Sequence, residues 1–167
     1  MTQETYLALF LTGQDFGGKL NMIQDSRLDG PSPTEIAFPT YQGIMSGFAV
    51  WTGEADQLVW RVVDIRFVFP TAWQASAFHA AQLELNSEGN PLLPDAPPVG
   101  LECRVFYGTI KTPQFQLRHF FYIFRIQRVI VKLYAAQGPE ATGDALNVSH
   151  MVRMAKLIEK RISANLE

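Results

Sequence analysis

The stretch LRHFFYIFRIQRVIVKLY, from Leu117 to Tyr134, constrains the fold of this chain more than any other segment. Most of its residues are aromatic or branched aliphatic, and these residue types favour β-strands. Arg and Lys side chains are scattered along it, and each would be costly inside a lipid bilayer, so a membrane-spanning helix is excluded. The pattern predicts instead a β-hairpin that turns near Ile126-Gln127-Arg128.

Aromatic and basic side chains on one strand also suit a nucleic-acid platform, in which bases stack on rings and cations meet phosphates. Two observations argue against that interpretation. The formal net charge is −2, so the chain as a whole has no basic character. Apolar residues also occur at both odd-numbered positions, such as Phe121 and Ile123, and even-numbered positions, such as Phe120 and Tyr122. This pattern is typical of a central strand that is covered on both faces. We therefore predict a core strand and no nucleic-acid partner.

A second hairpin is predicted earlier in the chain, with one strand around Phe48–Trp51 and the next over Val59–Phe69. The second strand alternates, and successive side chains of a strand point to opposite faces of the sheet. Its odd-numbered residues, among them Phe67, are assigned to the core face. Asp64 and Arg66 then fall on the outer face, where we expect a solvated ion pair.

Two helices are predicted from capping signals and helical periodicity. Thr71 and Gln74 have the form of a capping box, which predicts a helix over about 71–86 with Trp73 on its apolar stripe. The second helix, over about 147–164, has Asn147 or Ser149 as its expected cap. It carries apolar residues at i, i+3 and i+4 spacing on one side, and basic residues including Arg153 on the other side, which we interpret as a solvated face.

The expected fold is α+β, with an antiparallel sheet of about five or six strands. Both predicted helices, about 71–86 and 147–164, are expected to pack on one face of that sheet. Residues 15–42 are rich in Gly and Pro and are expected to be ordered loop with room for one short strand. The proline-rich segment 90–100 is expected to wrap one edge of the core. The length suits one domain, residues 1–167.

No sequence motif for catalysis, nucleotide binding or metal binding is present. Cys103 is the only cysteine, so an intrachain disulfide and a multi-cysteine zinc site are excluded. His79, His119 and His150 lie in different elements without the spacing of metal ligands. We therefore predict no metal and no cofactor, and we interpret His119 as a hydrogen-bonded residue of the sheet.

The sequence carries no targeting signal. Its first residues lack a basic region, and no apolar run reaches the roughly 18 residues of a membrane span. Either the protein is cytoplasmic, or an export segment precedes the sequence given.

Three short motifs mark the opening, the central hairpin and the closing helix of the chain. They are Leu11-Thr12 with Asp15-Phe16-Gly17-Gly18, Phe124-Arg125 with Val129-Ile130-Val131, and Ala155-Lys156-Leu157-Ile158 with Arg161. In these motifs the chain resembles bacterial extracytoplasmic sensor-type domains, namely the extracellular domain of some actinobacterial receptor Ser/Thr kinases and related lipoproteins. More loosely, it resembles the PsbP/Mog1-like α/β/α sandwich.

The resemblance implies a location outside the cytoplasm and a ligand-binding cleft over the sheet. Two features depart from the family pattern. Gln127-Arg128 stands at the hairpin turn where Gly-Asn is usual, and the disulfides of the kinase sensor domains cannot form with Cys103 alone. The resemblance carries over no binding residue, because its motifs mark the fold.

We expect a non-enzymatic ligand-binding or sensor-type domain with an unidentified small ligand or protein partner. Its site should lie where the second face of the sheet meets the N-terminal loops. Amphipathic aromatic rings suit apolar ligands and partners. The predicted binding residues are Trp51, Trp60, Phe120 and Tyr122. The alternative is an interaction module that forms a homodimer through an apolar sheet face, and a third hypothesis is an enzyme whose residues assemble only in space.

Overall fold

A computed structural model of the protein describes residues 1–29, 43–53, 61–87, 91–111, 116–137 and 147–166. The elements, in chain order, are α1 (Gln3–Leu7), a 3₁₀-helix (Gly13–Phe16), β1 (Leu20–Ser26), β2 (Met45–Gly53), β3 (Arg61–Val68), α2 (Ala72–Ser87), β4 (Leu101–Lys111), β5 (Gln116–Ile126), β6 (Val129–Gln137) and α3 (Val148–Asn165). Both predicted helices are present. Thr71 and Asn147 cap them, each accepting a hydrogen bond from the backbone N–H three residues on.

In the described part of the chain, six strands form an antiparallel sheet in the order β1-β2-β3-β6-β5-β4. The stretch from Leu117 to Tyr134 lies in the β5–β6 hairpin near the middle of that sheet. Ile126 pairs with Val129, so the turn consists of Gln127 and Arg128. Gln127 has a φ of 50°, in the left-handed region that two-residue hairpin turns require. The predicted hairpin and the α+β class with an antiparallel sheet are confirmed.

The two main helices lie on opposite faces of the sheet. Tyr122 and Phe124 of β5 belong to a large hydrophobic cluster with the buried side of α3. Ile123, between them in sequence, packs in a smaller cluster with Phe78 of α2. Neighbouring residues of a strand point to opposite faces, so the prediction of both helices on one face is wrong. Because the central strands are apolar at both parities, each face can bury a helix; we call them the α3 face and the α2 face.

Asp64 and Arg66 lie on the α3 face of β3 and are fully buried, so the prediction of a solvated outer pair is wrong. The guanidinium of Arg66 forms an ion pair with the Asp64 carboxylate. Asp64 Oδ2 also accepts a hydrogen bond from the Leu11 backbone N–H at 2.8 Å. Arg66 Cζ lies 5.4 Å from the centre of the Phe10 ring. The N-terminal segment thus covers a strand face that alternation alone assigns to solvent.

Helix α2 packs through Phe78, whose ring centre lies 4.9 Å from that of Phe67 and 5.1 Å from that of Phe69. Ala75, one turn earlier, is fully buried against the same cluster. Trp73 is 77% exposed, so its prediction as a core residue is wrong. It precedes Phe78 by five residues, roughly 140° around the helix, and therefore points away from the sheet.

The proline-rich segment after α2 runs along the edge strand β4, as predicted. The Leu93 N–H donates to the Val105 carbonyl at 2.8 Å, and the Tyr107 N–H donates to the Pro91 carbonyl at 3.1 Å. Val99, near the end of the segment, is buried. Covering the edge satisfies backbone groups that could otherwise pair with another chain.

Candidate functional site

A pocket of about 540 Å³ opens where the N-terminal loops meet α3, and we call it the N-terminal pocket. One wall is formed by the 3₁₀-helix and the start of β1, with lining residues Gln14, Asp15, Phe16, Gly17, Lys19 and Leu20. The other wall is the first half of α3, with His150, Arg153, Met154 and Leu157. The spacing of these four is that of one helix face. Small-molecule sites typically occupy about 300–1,000 Å³, so the pocket has the size of a ligand site.

The loop wall is held in shape by local hydrogen bonds. Asp15 Oδ2 accepts from the Thr12 backbone N–H at 2.6 Å and from the Thr12 hydroxyl at 3.0 Å. Gly17 and Gly18 follow with φ values of 61° and 73°, a conformation that side chains with a β-carbon rarely adopt. The two glycines therefore allow the backbone to turn from the 3₁₀-helix into β1 beside the pocket.

Arg161 of α3 joins the two walls. Its guanidinium donates to Asp15 Oδ1 at 2.7 Å and also to the Phe10 carbonyl. Asp15, the acidic residue among the lining side chains, therefore has its charge compensated by a residue behind the pocket. The contact also fixes the distance between the N-terminal segment and the helix.

Positive charge surrounds the mouth of the N-terminal pocket. The side chains of Lys19 and Arg153 are exposed, and within the described residues neither one forms an ion pair. His150 lies in the first turn of α3, where the helix dipole adds a positive potential. Because the whole chain carries a net charge of −2, this local excess of cations is a property of the pocket.

The floor of the pocket is apolar. Leu20 is 5% exposed and Met154 is 4% exposed, while Phe16 and Leu157 are half-buried beside them. Beneath Phe16 lies Trp51, with ring centres 5.3 Å apart. An apolar floor below a cationic mouth gives the pocket two chemically distinct ends.

Three of the four predicted binding residues are buried on the α3 face. Trp51 is 4% exposed, Phe120 is 5% exposed and Tyr122 is fully buried. None of the three lines the N-terminal pocket, although Trp51 touches Phe16, which does. Trp60 lies outside the described residues. The role of all four as ligand contacts stays a prediction.

None of the lining residues was predicted as a binding residue, although Asp15, Phe16 and Gly17 belong to the first of the three fold motifs. The paired glycines before Lys19 were a signal for a tight turn, but a turn alone does not indicate a site. On α3, Arg153 was assigned to the solvated basic side of the helix. Its position directly before Met154 places it at the border between that basic side and the apolar side. A cation at such a border was the signal available in the sequence, and only the tertiary fold shows that it faces the glycine turn.

Behind the loop wall, the buried Asp64–Arg66 pair anchors the N-terminal segment. Burial raises the pKa of Asp64, and the Arg66 guanidinium, the Leu11 N–H and Arg161 act in the opposite direction. Burial likewise lowers the pKa of Arg66, and Asp64 opposes that shift. A guanidinium stays protonated in proteins, so the buried cation requires its carboxylate partner. The pair therefore explains why residues 9–11 lie fixed against β3.

A second charged cluster lies on the α2 face, around Glu102. This residue sits at an irregularity of β4 with a φ of 55°. It accepts two hydrogen bonds from Arg125, at 2.8 and 2.9 Å, and one from the Ser76 hydroxyl at 2.9 Å. Arg125, and less strongly Ser76, lower the pKa of Glu102 to about 2, against the effect of partial burial. His79 Nδ1 lies 3.7 Å away.

The Glu102 cluster has the composition of a catalytic triad but a different geometry. Ser76 donates to the carboxylate, whereas an activated nucleophile would be hydrogen-bonded to a general base such as His79. Burial lowers the pKa of His79, and no group in the described part of the chain forms a hydrogen bond with its Nε2. The cluster ties α2 to β4 and β5.

His119 is a buried residue of β5. Its ring stacks on Tyr134, with centres 5.6 Å apart. A β-carbon at Gly108 would lie 2.6 Å from His119 Cε1, so the glycine makes room for the imidazole. In the described part of the chain, no three His, Cys, Asp or Glu side chains are grouped so that they could hold a metal ion. Within the same residues, no helix has both the length and the apolar character of a membrane span.

The fold is similar to the crystal structure of the extracellular domain of PknH from Mycobacterium tuberculosis. The TM-score is 0.54, the sequences are 14% identical, and the match covers 98% of this chain and 97% of that chain. The likeness confirms, at the level of the fold, the resemblance to receptor-kinase extracellular domains that the sequence motifs indicated. No protein-family profile matches the sequence, and no curated protein matches it.

Proposed function

We propose that this chain is a non-enzymatic, sensor-type domain that acts outside the cytoplasm and binds a small ligand in the N-terminal pocket. The observation that carries the proposal is the pocket itself. It has the volume of a ligand site, and Arg161 holds its two walls together through Asp15 and the Phe10 carbonyl. A site that is already formed loses little conformational entropy when it binds.

The likeness to the extracellular domain of PknH supports the proposed location and the sensor role. The pocket suggests how such a domain would respond to a ligand. A ligand that touches both walls stabilises the arrangement in which α3 and the N-terminal segment lie together, because it binds that arrangement preferentially. The signal would then be a change in how firmly the first 20 residues are held against the sheet.

The predicted aromatic residues take a supporting role in this proposal. Trp51 forms the layer under Phe16 and fixes the depth of the floor. Phe120 packs against Tyr107 with ring centres 5.0 Å apart and belongs, with Tyr122, to the same cluster as α3. They would set the position of the helix wall.

A homodimer through an apolar sheet face is the alternative prediction. Its basis was the apolar β5 stretch, and in that stretch both Phe120 and Ile123 are buried beneath helices of the same chain. The apolar residues on which the dimer prediction rested are therefore covered within the chain, and ligand binding in the N-terminal pocket is the better-supported function. Light scattering over a concentration series tests the alternative, because a strict monomer at high concentration removes it.

The test of the proposed function is a thermal-shift screen with a pocket-filling variant. Leu157→Trp places a large ring in the pocket, and Leu83→Trp makes the same change at a half-buried leucine of α2. We expect at least one compound from a set of fatty acids, aromatic acids, muropeptides and small metabolites to raise the melting temperature of the wild type. The rise should persist in Leu83→Trp and disappear in Leu157→Trp. No stabilising compound, or equal stabilisation of both variants, contradicts a ligand site in the N-terminal pocket.

A further inference from the structure

We infer that the ligand of the N-terminal pocket is an amphipathic organic anion: a single carboxylate-, phosphate- or sulfate-bearing head on an apolar chain or ring. The inference rests on the proposed function and adds to it the chemical class of the ligand. Two independent features of the lining carry it, the balance of charge at the mouth and the apolar character of the floor.

The mouth of the pocket carries a net positive charge, because within the described residues its acidic side chain is paired and its two basic side chains are not. Asp15 accepts from Arg161 and twice from Thr12, so its carboxylate is fully engaged. Lys19 and Arg153 line the same pocket, and no other described residue pairs with either of them. Two uncompensated cations on facing walls, one on the loop and one on the helix, suit an anionic head between them.

His150 adds a third donor on the helix wall. Its Nδ1 accepts a hydrogen bond from the Asn147 backbone N–H at 3.3 Å. A neutral imidazole that accepts at Nδ1 carries its proton on Nε2, so the remaining nitrogen is a donor. The residue also belongs to the first turn of α3, where the helix dipole favours negative charge. Both the hydrogen-bond donors and the helix dipole therefore favour a negatively charged ligand.

The floor requires the rest of the ligand to be apolar. Leu20 and Met154 are nearly buried, and Phe16 rests on Trp51 rather than on polar groups. A free inorganic anion would leave this floor in contact with water, whereas a neutral lipid would leave Lys19 and Arg153 without a partner. An amphipathic anion satisfies both ends at once, with its head at the exposed mouth and its tail against the buried floor.

The experiment measures binding of three ten-carbon probes by calorimetry below their micelle-forming concentrations. Decanoate has a negatively charged head on an apolar tail. Decanol has the same tail with an uncharged head, and decyltrimethylammonium has the same tail with a positively charged head. The variant Lys19→Gln/Arg153→Gln removes both cations of the mouth. The variant Lys156→Gln/Lys160→Gln removes the same charge from exposed positions of α3 outside the pocket.

We expect decanoate to bind the wild type and the Lys156→Gln/Lys160→Gln control with equal affinity. The Lys19→Gln/Arg153→Gln variant should bind it at least about tenfold more weakly, because a charge-assisted contact commonly contributes that much. Decanol should bind weakly and equally to all three proteins. The dissociation constant of decanoate should rise with salt in the wild type and less so in the mouth variant.

Three results would overturn the inference. Equal binding of decanoate and decanol, with no effect of the mouth variant, would leave a ligand pocket without a preference for anions. Binding of no probe, together with no ligand-dependent difference between Leu157→Trp and Leu83→Trp, would remove the proposed function as well. Phosphatidylglycerol vesicles present the same head chemistry on a surface. If they bind through Lys19 and Arg153 while monomeric decanoate does not, the cations serve a membrane contact and not the pocket.

Discussion

The two faces of the sheet bury polar groups in different ways. On the α3 face, charge lies inside: the Asp64–Arg66 pair is fully buried beneath the N-terminal segment, and an open pocket lies beside it. On the α2 face, an apolar cluster surrounds Phe78, the buried Lys132 donates to Gln82 of α2 at 3.0 Å, and Glu102 with Arg125 lies at the border of the helix. The α2 face is a packed support that buries a lysine beside its apolar side chains. The other is held in register by directional polar contacts, which is what a surface that must present a precise pocket requires.

The difference indicates what the buried ion pair does. Such a pair contributes little net stability, because desolvation offsets the attraction between the charges, but it specifies one arrangement of the groups around it. Here Asp64 binds both Arg66 and the Leu11 N–H, so it fixes the segment that leads into the loop wall of the pocket. On the α2 face, the buried contact between Lys132 and Gln82 joins β6 to α2 and does not hold a loop wall.

The largest effect is expected for Asp64→Asn. This change leaves the Arg66 guanidinium buried without its counter-charge, which typically costs about 3–5 kcal/mol. Urea denaturation followed by circular dichroism measures the loss. The double variant Asp64→Leu/Arg66→Met removes both charges and should recover a large part of it. If the double variant is as unstable as the single one, the penalty does not come from an unpaired charge.

The sequence predicted the parts of the fold that depend on local patterns. The β5–β6 hairpin, the two main helices and their caps at Thr71 and Asn147 follow from residue types within a few positions of one another. The failures concern contacts between distant segments. Asp64 and Arg66 are polar at alternate positions, so they indicate a solvated face unless the covering segment, more than 50 residues earlier, is known.

The candidate site was predictable only as a region. The N-terminal loops were expected to border the site, and in the structure they form one wall of the N-terminal pocket, whose other wall comes from α3. Lys19 and Arg153 meet only through the tertiary fold, and nothing in either local sequence indicates the other. The aromatic residues chosen as ligand contacts, such as Trp51 and Tyr122, are large rings in a central sheet, and such rings are most often buried.

The second effect concerns the contact that joins the pocket walls. Arg161→Gln loses the hydrogen bonds to Asp15 and to the Phe10 carbonyl, and because the guanidinium is partly exposed we expect a loss of roughly 1–2 kcal/mol. Lys160→Gln is the neighbouring control and should change stability by less than about 0.5 kcal/mol. Equal stability of the two variants in urea would show that Arg161 does not join the walls.

A smaller and pH-dependent effect is expected on the α2 face. The pKa of Glu102 is lowered by Arg125 from 4.5 to about 2, so the ionised carboxylate stabilises the fold above its ordinary pKa and loses that effect as the pH falls through about 2. Near neutral pH, Glu102→Gln should cost about 1 kcal/mol, since the group is partly exposed. The difference from the wild type should shrink as the medium is acidified. A difference that stays constant with pH would mean that the ionised form is not what stabilises the contact.

The smallest effect is expected for the pair that Asp25, an exposed residue of β1, forms with Arg27 just after the strand. Arg27 donates to Asp25 at 2.7 Å, and this side-chain pair lies at the surface, with Asp25 48% exposed. Asp25→Asn should change the free energy of unfolding by less than about 1 kcal/mol. Comparison with Asp64→Asn therefore measures how much burial matters for the same substitution. A loss as large as that of Asp64→Asn would contradict the distinction between buried and exposed pairs in this protein.

The most direct test of the two-face description is a titration of the isotope-labelled protein with decanoate, followed by amide chemical shifts. If the α3 face carries the ligand site, the shifts move for Gly17 and Leu20 on the loop wall and for Met154 and Leu157 on the helix wall. The amide of Phe78, on the α2 face, should not move. Shifts confined to the α2 face, or no shift at either wall at saturating decanoate, would contradict the assignment of the site to the N-terminal pocket.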